Sequence, residues 1–382
     1  MTKKKIMLVF GTRPEAIKMA PLALELARHP DLEPICCVTA QHREMLDAML
    51  EVFRLKPDYD LNIMQPNQTL SMITTRTILG MDEVLGQVKP DMVLVHGDTT
   101  TTLGGALSAF YHQIPVGHVE AGLRTYDRYS PFPEEINRTL VDDIAALGFA
   151  PTASNRDNLL REAVNGEVFV TGNTVIDAMA YTVRPDYRFS TALLNELDYG
   201  HKKIIVVTCH RRENYGQPME QIMSAIRDTA RNHPDAEVVY PVHLSPTVQE
   251  CARRILGGEP GVHLIEPLNV EEMHNLMARS YLVMTDSGGL QEEAPALGKP
   301  VLVLRRETER PEAVEAGTVK LSGVAYDAIC ADAHRLLTDE AAYQAMAKAV
   351  NPYGDGQACP RIAQAIAWYF DHSLPRPADF RA

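Results

Sequence analysis

The segment Ile6-Met7-Leu8-Val9-Phe10-Gly11-Thr12-Arg13-Pro14-Glu15 decides the fold of this chain. Its first five residues are all apolar, which is typical of a strand buried on both faces of a parallel sheet. Gly11 allows the backbone to turn sharply, and Pro14 suits the first turn of a following helix. A strand, a short polar turn and a helix form the repeating unit of doubly wound α/β sheets.

The same unit recurs along most of the 382 residues. The predicted strands are Ile6–Phe10, Pro34–Thr39, Met92–His96, Val116–Glu120, Ile204–Thr208, Glu237–Val242, His263–Ile265, Tyr281–Thr285 and Val301–Leu304. The segments with helical periodicity include Pro14–His29, Gln41–Phe53, Thr69–Val88, Pro218–Asn232 and Val270–Ala278. A less regular stretch around Tyr181–Gly200 separates two series. The pattern predicts two Rossmann-like doubly wound domains, residues 1–171 and 172–360, facing a central cleft.

Composition excludes several classes of protein. The formal net charge of -13 disfavours non-specific binding to nucleic acid. No stretch is apolar for long enough to span a membrane. The six cysteines include no C-x-x-C pair and no metal-ligand spacing, so we expect reduced thiols, a cytoplasmic location and no metal.

Carboxylates gather where predicted strands of the first domain end. Asp98 follows Met92–His96, Glu120 ends Val116–Glu120, and Glu134 begins the next helix. The carboxyl ends of parallel strands share one edge of a sheet, where ligands bind. Crowding can separate the pKa values of such groups, as acid/base chemistry requires. Each carboxylate alone could equally be a helix cap or a solvated residue.

Cations and glycines point to phosphate binding in both domains. Arg13 and Lys18 flank the start of the first helix, which suits an anion, although they also fit an ordinary surface turn. In the second domain His210 precedes two arginines at a strand end, an arrangement that can place an acid/base group beside a phosphate clamp. Ser287-Gly288-Gly289 opens a helix whose bare N–H groups can contact a diphosphate.

Several long motifs, in order, resemble those of the bacterial non-hydrolysing UDP-N-acetylglucosamine 2-epimerases. They are Phe10–Met19, Val95–Thr99, Gly117–Arg124, Thr171–Thr174, Thr285–Glu293 and Asn351–Gly356. The resemblance spans nearly the whole chain and implies the glycosyltransferase-B type fold. It also implies that a C-terminal helix, residues 361–382, crosses back to the first domain.

The resemblance implies an isomerase that interconverts UDP-N-acetylglucosamine and UDP-N-acetylmannosamine, through elimination of UDP to a 2-acetamidoglucal and re-addition. Its product would supply surface polysaccharide synthesis. No cofactor is implied, and a homodimer is expected. The partners are therefore the two UDP-sugars and UDP, with no nucleic acid and no membrane.

Matching positions carry the roles that the resemblance implies. The candidate catalytic residues are Asp98, Glu120, Glu134 and His210, with the face of C2 that each serves left open. The candidate substrate-binding residues are Arg13, Lys18, Pro267, Leu268, Ser287, Gly288, Gly289, Glu293 and Arg310. Of these, Glu293 would hold the ribose, and Pro267 and Leu268 would lie near the uracil.

A second UDP-N-acetylglucosamine bound beside the active site activates many members of the family. Gln41, Glu134, Arg211 and His243 match positions used in that allosteric site. Glu44 stands where some members have Gln, and Asn67 where some have Arg. An added anion and a lost cation weaken a site for a diphosphate.

Three alternatives share parts of this pattern. A glycosyltransferase of the same fold would need an acceptor, a hydrolysing 2-epimerase would release N-acetylmannosamine, and a nucleotide-sugar sensor would need no acid/base residues.

Overall fold

The computed structural model describes residues 3–40, 43–65 and 67–382, with only the backbone of residues 43–45. This part of the chain forms two compact units. The first unit runs up to Tyr181 and resumes over Tyr353–Arg381, and the second comprises Thr182–Pro352. Each unit contains one parallel sheet, which confirms the predicted fold class.

The first unit has a seven-stranded sheet in the order β3-β2-β1-β4-β5-β6-β7. Its strands are β1 Lys4–Phe10, β2 Leu32–Val38, β3 Tyr59–Asp60, β4 Met92–His96, β5 Val116–Val119, β6 Leu147–Ala150 and β7 Glu167–Val170. Its helices are α1 Arg13–Arg28, α2 Arg43–Val52, α3 Leu70–Val88, α4 Thr100–Tyr111, α5 Glu134–Ile144, α6 Ala153–Arg161 and α7 Thr174–Thr182. The strand order reverses between β1 and β4, and such a switch point is where open α/β sheets bind ligands.

The second unit has a six-stranded sheet in the order β10-β9-β8-β11-β12-β13. Its strands are β8 Lys203–Thr208, β9 Ala236–Pro241, β10 Val262–Ile265, β11 Leu282–Thr285, β12 Val301–Val303 and β13 Val319–Leu321. Its helices are α8 Ala192–Glu196, α9 Gln217–Asn232, α10 Pro246–Leu256, α11 Val270–Arg279, α12 Leu290–Ala296, α13 Pro311–Glu315, α14 Tyr326–Thr338 and α15 Glu340–Ala347. The switch point lies between β8 and β11, so the loops after these two strands are neighbours.

The boundary between the units lies later than the predicted one after residue 171. Nearly all of α7 belongs to the first unit because the buried Asp177 accepts backbone hydrogen bonds from Cys359 at 2.8 Å and Ala358 at 3.2 Å. The amide of Asn173 also donates to the carbonyl of Tyr353 at 2.7 Å. These contacts make the chain return at Tyr353 rather than at the predicted residue 361, before the last helix, α16 (Ala358–Phe370).

Beyond α16 the C-terminal segment covers the edge of the first sheet. The amide of Phe380 donates to the carbonyl of Val170 in β7 at 2.7 Å. The amide of Val170 in turn donates to Asp379 Oδ1 at 2.9 Å. The guanidinium of Arg376 lies 4.5 Å from the ring centroid of Phe169, also in β7. The polar groups at this end of the edge strand are thus paired within the chain.

Among the described helices, none combines the length and apolar character needed to cross a membrane.

Gly122, which follows β5 after Glu120 and Ala121, has a backbone conformation that only glycine adopts freely. Its φ is +83°, and an added Cβ would lie 2.2 Å from the carbonyl oxygen of Asn155. We expect Gly122→Ala to destabilise the protein by about 2 kcal/mol or more. Gly86→Ala is the matched control, because an added Cβ meets nothing within 4 Å in helix α3 and should stabilise by about 0.5–1 kcal/mol. Urea unfolding followed by circular dichroism measures the stability of both variants. Equal urea midpoints would contradict the conclusion that only glycine fits at position 122.

Candidate active site

A pocket of about 540 Å³ opens at the carboxyl ends of β1, β4 and β5. Five predicted site residues line it, namely Arg13, Lys18, Asp98, Glu120 and Glu134. His96 and Asn137 are among the other polar residues that line it. These five residues, which were selected at separate places in the sequence, thus lie together in one pocket of the first unit.

Glu120 is held as an anion in this pocket. Its φ is +66°, a conformation uncommon outside glycine. The Lys18 ammonium forms an ion pair with Glu120 Oε2, and Asn173 Nδ2 donates to the same oxygen at 2.9 Å. Burial raises the pKa of Glu120, but the Lys18 ammonium and the neighbouring His96 ring outweigh burial and hold that pKa well below its usual range.

The pKa of Asp98 is shifted in the opposite direction, above its usual value. Burial raises its pKa, and nearby Glu120 and Glu134 add to the rise, whereas Arg138, 2.9 Å from Asp98 Oδ2, opposes it. Its backbone carbonyl accepts a hydrogen bond from Asn137 Nδ2 at 2.9 Å. Two carboxyl groups with oppositely shifted pKa values in one pocket can act as a proton acceptor and a proton donor.

His96 is a pocket residue that the sequence reasoning did not select as a candidate. It is the last residue of β4 and its relative exposure is only 4%. Among the described residues neither ring nitrogen has a hydrogen-bond partner, and Nε2 lies 3.6 Å from Glu120 Oε2. Its position two residues before Asp98, at a strand end, was the available signal.

A second histidine, His118 of β5, fixes the turn between His96 and Asp98. Its Nε2 lies 2.7 Å from the carbonyl oxygen of Gly97, and its Nδ1 lies 2.6 Å from Asp142 Oδ1. Arg124 binds the other oxygen of Asp142 at 2.8 Å. Burial raises the pKa of Asp142, but these two partners outweigh it and lower that pKa. The turn is therefore held by a buried, charged network.

In the second unit, Asp286 is fully buried and organises the loop that contains His210. Its Oδ2 accepts the backbone amides of His210 and Arg211, each at 2.8 Å, and Asn214 Nδ2 at 3.1 Å. The rings of His210 and His243 stack with centroids 5.2 Å apart. Burial lowers the pKa of His210 and the charges of His243 and Arg211 add to the effect, against the opposing charge of Asp286.

The loop Ser287–Gly289 has two cationic neighbours. A Cβ added to Gly288 would lie 3.6 Å from an Arg211 guanidinium nitrogen and 3.8 Å from one of Arg310. Arg310 is oriented by Glu292, whose Oε1 accepts from its Nε at 2.5 Å. Two guanidinium groups beside a bare backbone at a helix start form a surface suited to a phosphate group.

The other binding candidates of the second unit lie on neighbouring elements. Glu293 Oε2 is 3.2 Å from Nε2 of the buried His274, which fixes that carboxylate on α12. Pro267 and Leu268 lie in the loop between β10 and α11.

The allosteric candidates are only partly described. In the second unit, Arg211 lies beside Gly288 and His243 stacks on His210, so both belong to the same loop cluster. Asn67, in the first unit, is exposed with a φ of +57°. Gln41 and the side chain of Glu44 lie outside the described residues.

Two parallel α/β sheets, each with polar and charged side chains gathered at its switch point, define a protein of the glycosyltransferase-B type. A glycosyltransferase of kitacinnamycin, 12% identical, has this fold with a TM-score of 0.63 over 98% of this chain and 100% of that one. Residues 24–367 match the family model of the UDP-N-acetylglucosamine 2-epimerases. The chain belongs to this family, which confirms the predicted resemblance and makes the protein an isomerase by class.

Named relatives are similar over nearly their whole length. The UDP-N-acetylglucosamine 2-epimerase of Bacillus subtilis is 55% identical over 381 residues, covering 100% of this chain and 99% of its own. S. aureus MnaA, solved with UDP, is 51% identical with a TM-score of 0.88, covering 99% and 100%. The Neisseria meningitidis UDP-GlcNAc 2-epimerase, solved with UDP-GlcNAc, is 48% identical with a TM-score of 0.83, covering 95% and 99%.

The charged groups around His210 shift its pKa in opposite directions, so substitutions of two of them should have opposite effects on that pKa. The midpoint of its ring titration should lie below 6.5 in the unmodified protein. Asp286→Asn should lower the midpoint further, because it removes the charge that favours the imidazolium. His243→Gln should raise it, because it removes a competing cation. Histidine-ring NMR over pH measures all three, and shifts of the same sign in both variants would refute this description.

Proposed function

We propose that this chain interconverts UDP-N-acetylglucosamine and UDP-N-acetylmannosamine by eliminating UDP and adding it back. The observation that carries the proposal is the pair Asp98 and Glu120, whose pKa values are shifted in opposite directions in one pocket. The ligands named for two relatives, UDP and UDP-GlcNAc, support the choice of substrate.

The second unit would stabilise the leaving diphosphate. Breaking the anomeric C–O bond places negative charge on UDP, and preorganised cations lower the barrier to such a step. Gly288 leaves room for the diphosphate, and Ser287 and Gly289 would add backbone amides to the guanidinium groups of Arg211 and Arg310. His210 would serve the same group as a hydrogen-bond donor. Glu293 is proposed to bind the ribose hydroxyls, with Pro267 and Leu268 beside the uracil.

The first unit would handle the proton at C2. As the C–O bond breaks, positive charge at C1 makes the C2 proton acidic enough for a carboxylate to remove. Glu120, held ionised by Lys18, is the proposed acceptor in one direction. Asp98, whose pKa is raised, is the proposed donor to the other face. Glu134 borders the same pocket and favours the protonated form of Asp98, while Arg13 adds a cation for the phosphates.

Turnover in deuterated water, with UDP-N-acetylglucosamine alone, should place deuterium at C2 of UDP-N-acetylmannosamine. Asp98→Asn, Glu120→Gln, Glu134→Gln and His210→Ala should each lower kcat by about 10²–10⁴-fold. The carboxamide variants should still bind UDP, because the lost interaction acts in the transition state. Asp31→Asn, an exposed carboxylate on the loop before β2, is the control and should have normal activity.

Proton NMR of the reaction separates this mechanism from its rivals. Product without deuterium at C2 would refute elimination and re-addition. Release of free N-acetylmannosamine would indicate a hydrolysing enzyme, and an absolute need for an acceptor would indicate a glycosyltransferase.

The proposed diphosphate loop is tested by Gly288→Val. The larger side chain would fill the space in front of Arg211 and Arg310, so the dissociation constant for UDP should rise by at least about tenfold, or 1.4 kcal/mol. Gly200→Val, on an exposed loop of the same unit, is the control. Calorimetric titration with UDP measures both, and equal affinities would place the diphosphate elsewhere.

We also propose that two chains associate through helices α3 and α4. Leu79 of α3 is 65% exposed, and Phe110 and Tyr111 at the end of α4 are 58% and 66% exposed. The two helices pack together, since Ser108 Oγ donates to the carbonyl of Ile78 at 3.5 Å. An apolar surface of this kind is typical of a protein interface. Light scattering that gives the mass of one chain would exclude the homodimer.

Regulation by a second UDP-N-acetylglucosamine is proposed on the family resemblance. Arg211 and His243 support it by supplying cationic and aromatic groups near the diphosphate loop. Initial rates should then rise sigmoidally with substrate concentration, whereas a hyperbolic dependence would mean that this chain lacks the effect.

The proposed biological role is to supply the C2 epimer for surface polysaccharide synthesis in the cytoplasm. The six free cysteines suit a reducing compartment. A strain that lacks the chain should lose N-acetylmannosamine from its surface polysaccharide, and an unchanged polysaccharide would argue against this role.

A further inference from the structure

The unpartnered ring of His96 is a feature that the mechanism above does not use. Buried polar atoms almost always have hydrogen-bond partners, because desolvation without one is unfavourable. Both ring nitrogens of His96 are buried with no partner among the described residues, and the ring lines the pocket. His118, in the neighbouring strand, has both nitrogens engaged. His96 is thus the imidazole in this pocket wall that can take up a proton without breaking an existing hydrogen bond.

The surroundings of His96 connect the two carboxyl groups of the pocket. Its Nε2 lies 3.6 Å from Glu120 Oε2, the oxygen that also binds Lys18 and Asn173. A small rotation of the ring brings this pair within hydrogen-bond distance. Asp98, two residues along the chain, lies close enough for the charge of His96 to stabilise its carboxylate. The charged groups near the ring are thus Glu120, which follows β5, Lys18 of α1, and Asp98, beyond β4.

The proposed reaction leaves the pocket in the wrong protonation state after each turnover. Removal of the C2 proton leaves Glu120 protonated, and delivery of a proton to the other face leaves Asp98 ionised. A second turnover in the same direction needs Glu120 ionised and Asp98 protonated again. Because Lys18 favours the ionised form of Glu120, the proton tends to leave this residue.

We propose that His96 carries this proton from Glu120 back to Asp98 between turnovers. The inference rests on the proposed function. The Glu120 O–H bond breaks as Nε2–H forms, which gives an imidazolium and restores the carboxylate. The Nε2 proton exchanges with water, and the imidazolium then releases it to the carboxylate of Asp98, which becomes a carboxylic acid and leaves Nε2 able to accept the next proton. No bond to carbon changes, and no other reactant is needed. His96 therefore acts after the chemical step, as a proton relay.

A comparison of single-turnover and steady-state rates tests this order of events. His96→Gln keeps a polar side chain of similar length but cannot carry a proton. With enzyme in excess, its single-turnover rate should stay within about threefold of the unmodified enzyme, because the first turnover uses carboxyl groups already in the correct state. Its steady-state kcat should fall by about 10²-fold. Rapid quenching should therefore show a burst of product of at most one equivalent per site.

His201→Gln is the matched control, since His201 lies on an exposed loop of the second unit and pairs with Asp198, outside the pocket. It should leave both rates unchanged. His96→Asn serves as a second variant, and thermal unfolding monitors its fold and that of His96→Gln.

Each outcome decides between the possibilities. A loss confined to the steady state supports the relay. Equal losses in both rates overturn it, since His96 would then act in the chemical step, in binding or in folding. Normal rates in both variants also overturn it, because bulk water would then reset the pocket. Absence of deuterium at C2 with the unmodified enzyme would instead refute the proposed function itself.

Discussion

Hydrogen bonding of backbone amides to a buried carboxylate is the interaction on which both sites depend. In the first unit, Glu15 accepts the amides of Gly11 and Thr12 with one oxygen and the hydroxyl of Thr99 with the other, between 2.7 and 3.0 Å. In the second unit, Asp286 does the same for the loop after β8. Amides at strand ends have no ladder partner, and burying them unpaired is unfavourable. The loops that carry the chemistry therefore have defined conformations because each is attached to an internal anion.

Because the loops are fixed, the surroundings of each side chain, rather than its residue type, set its pKa. Glu120 and Asp98 are both carboxylic acids at adjacent strand ends, yet Lys18 stabilises the anion of one while burial stabilises the neutral form of the other. His118, which is bound to Asp142, also binds the carbonyl oxygen of Gly97. This contact fixes the turn between His96 and Asp98 and so positions Asp98. In the second unit, neighbouring cations and burial favour a neutral His210. The proposed division into proton donor and proton acceptor thus depends on burial and a few fixed charges.

The central strands of both sheets were predictable from sequence because they are continuous apolar runs, and Met92–His96 was predicted with its observed ends. Strands β3, β6, β7 and β13 were not predicted, since two to four residues, with a glycine in β6, make too weak a pattern. Five residues that line the first pocket were selected from sequence because they lie at or just after the end of a predicted strand or in the first turns of a helix. His96 was not, because a strand-terminal histidine looks the same in sequence whether its ring is paired or unpaired. The division of the structure after Tyr181 depends on the contacts of Asp177, which join segments far apart in the sequence and leave no local pattern.

The segment that follows α16 has a practical consequence for work with this protein. Asp379 and Phe380 occupy hydrogen-bonding positions that another β-strand could otherwise take along β7. A version shortened before Asp379 would leave that edge bare, and bare sheet edges promote strand exchange and aggregation between molecules. Purification tags and fluorescent fusions at the C-terminus should therefore be added after the last residue, with a linker that leaves Asp379 and Phe380 in place.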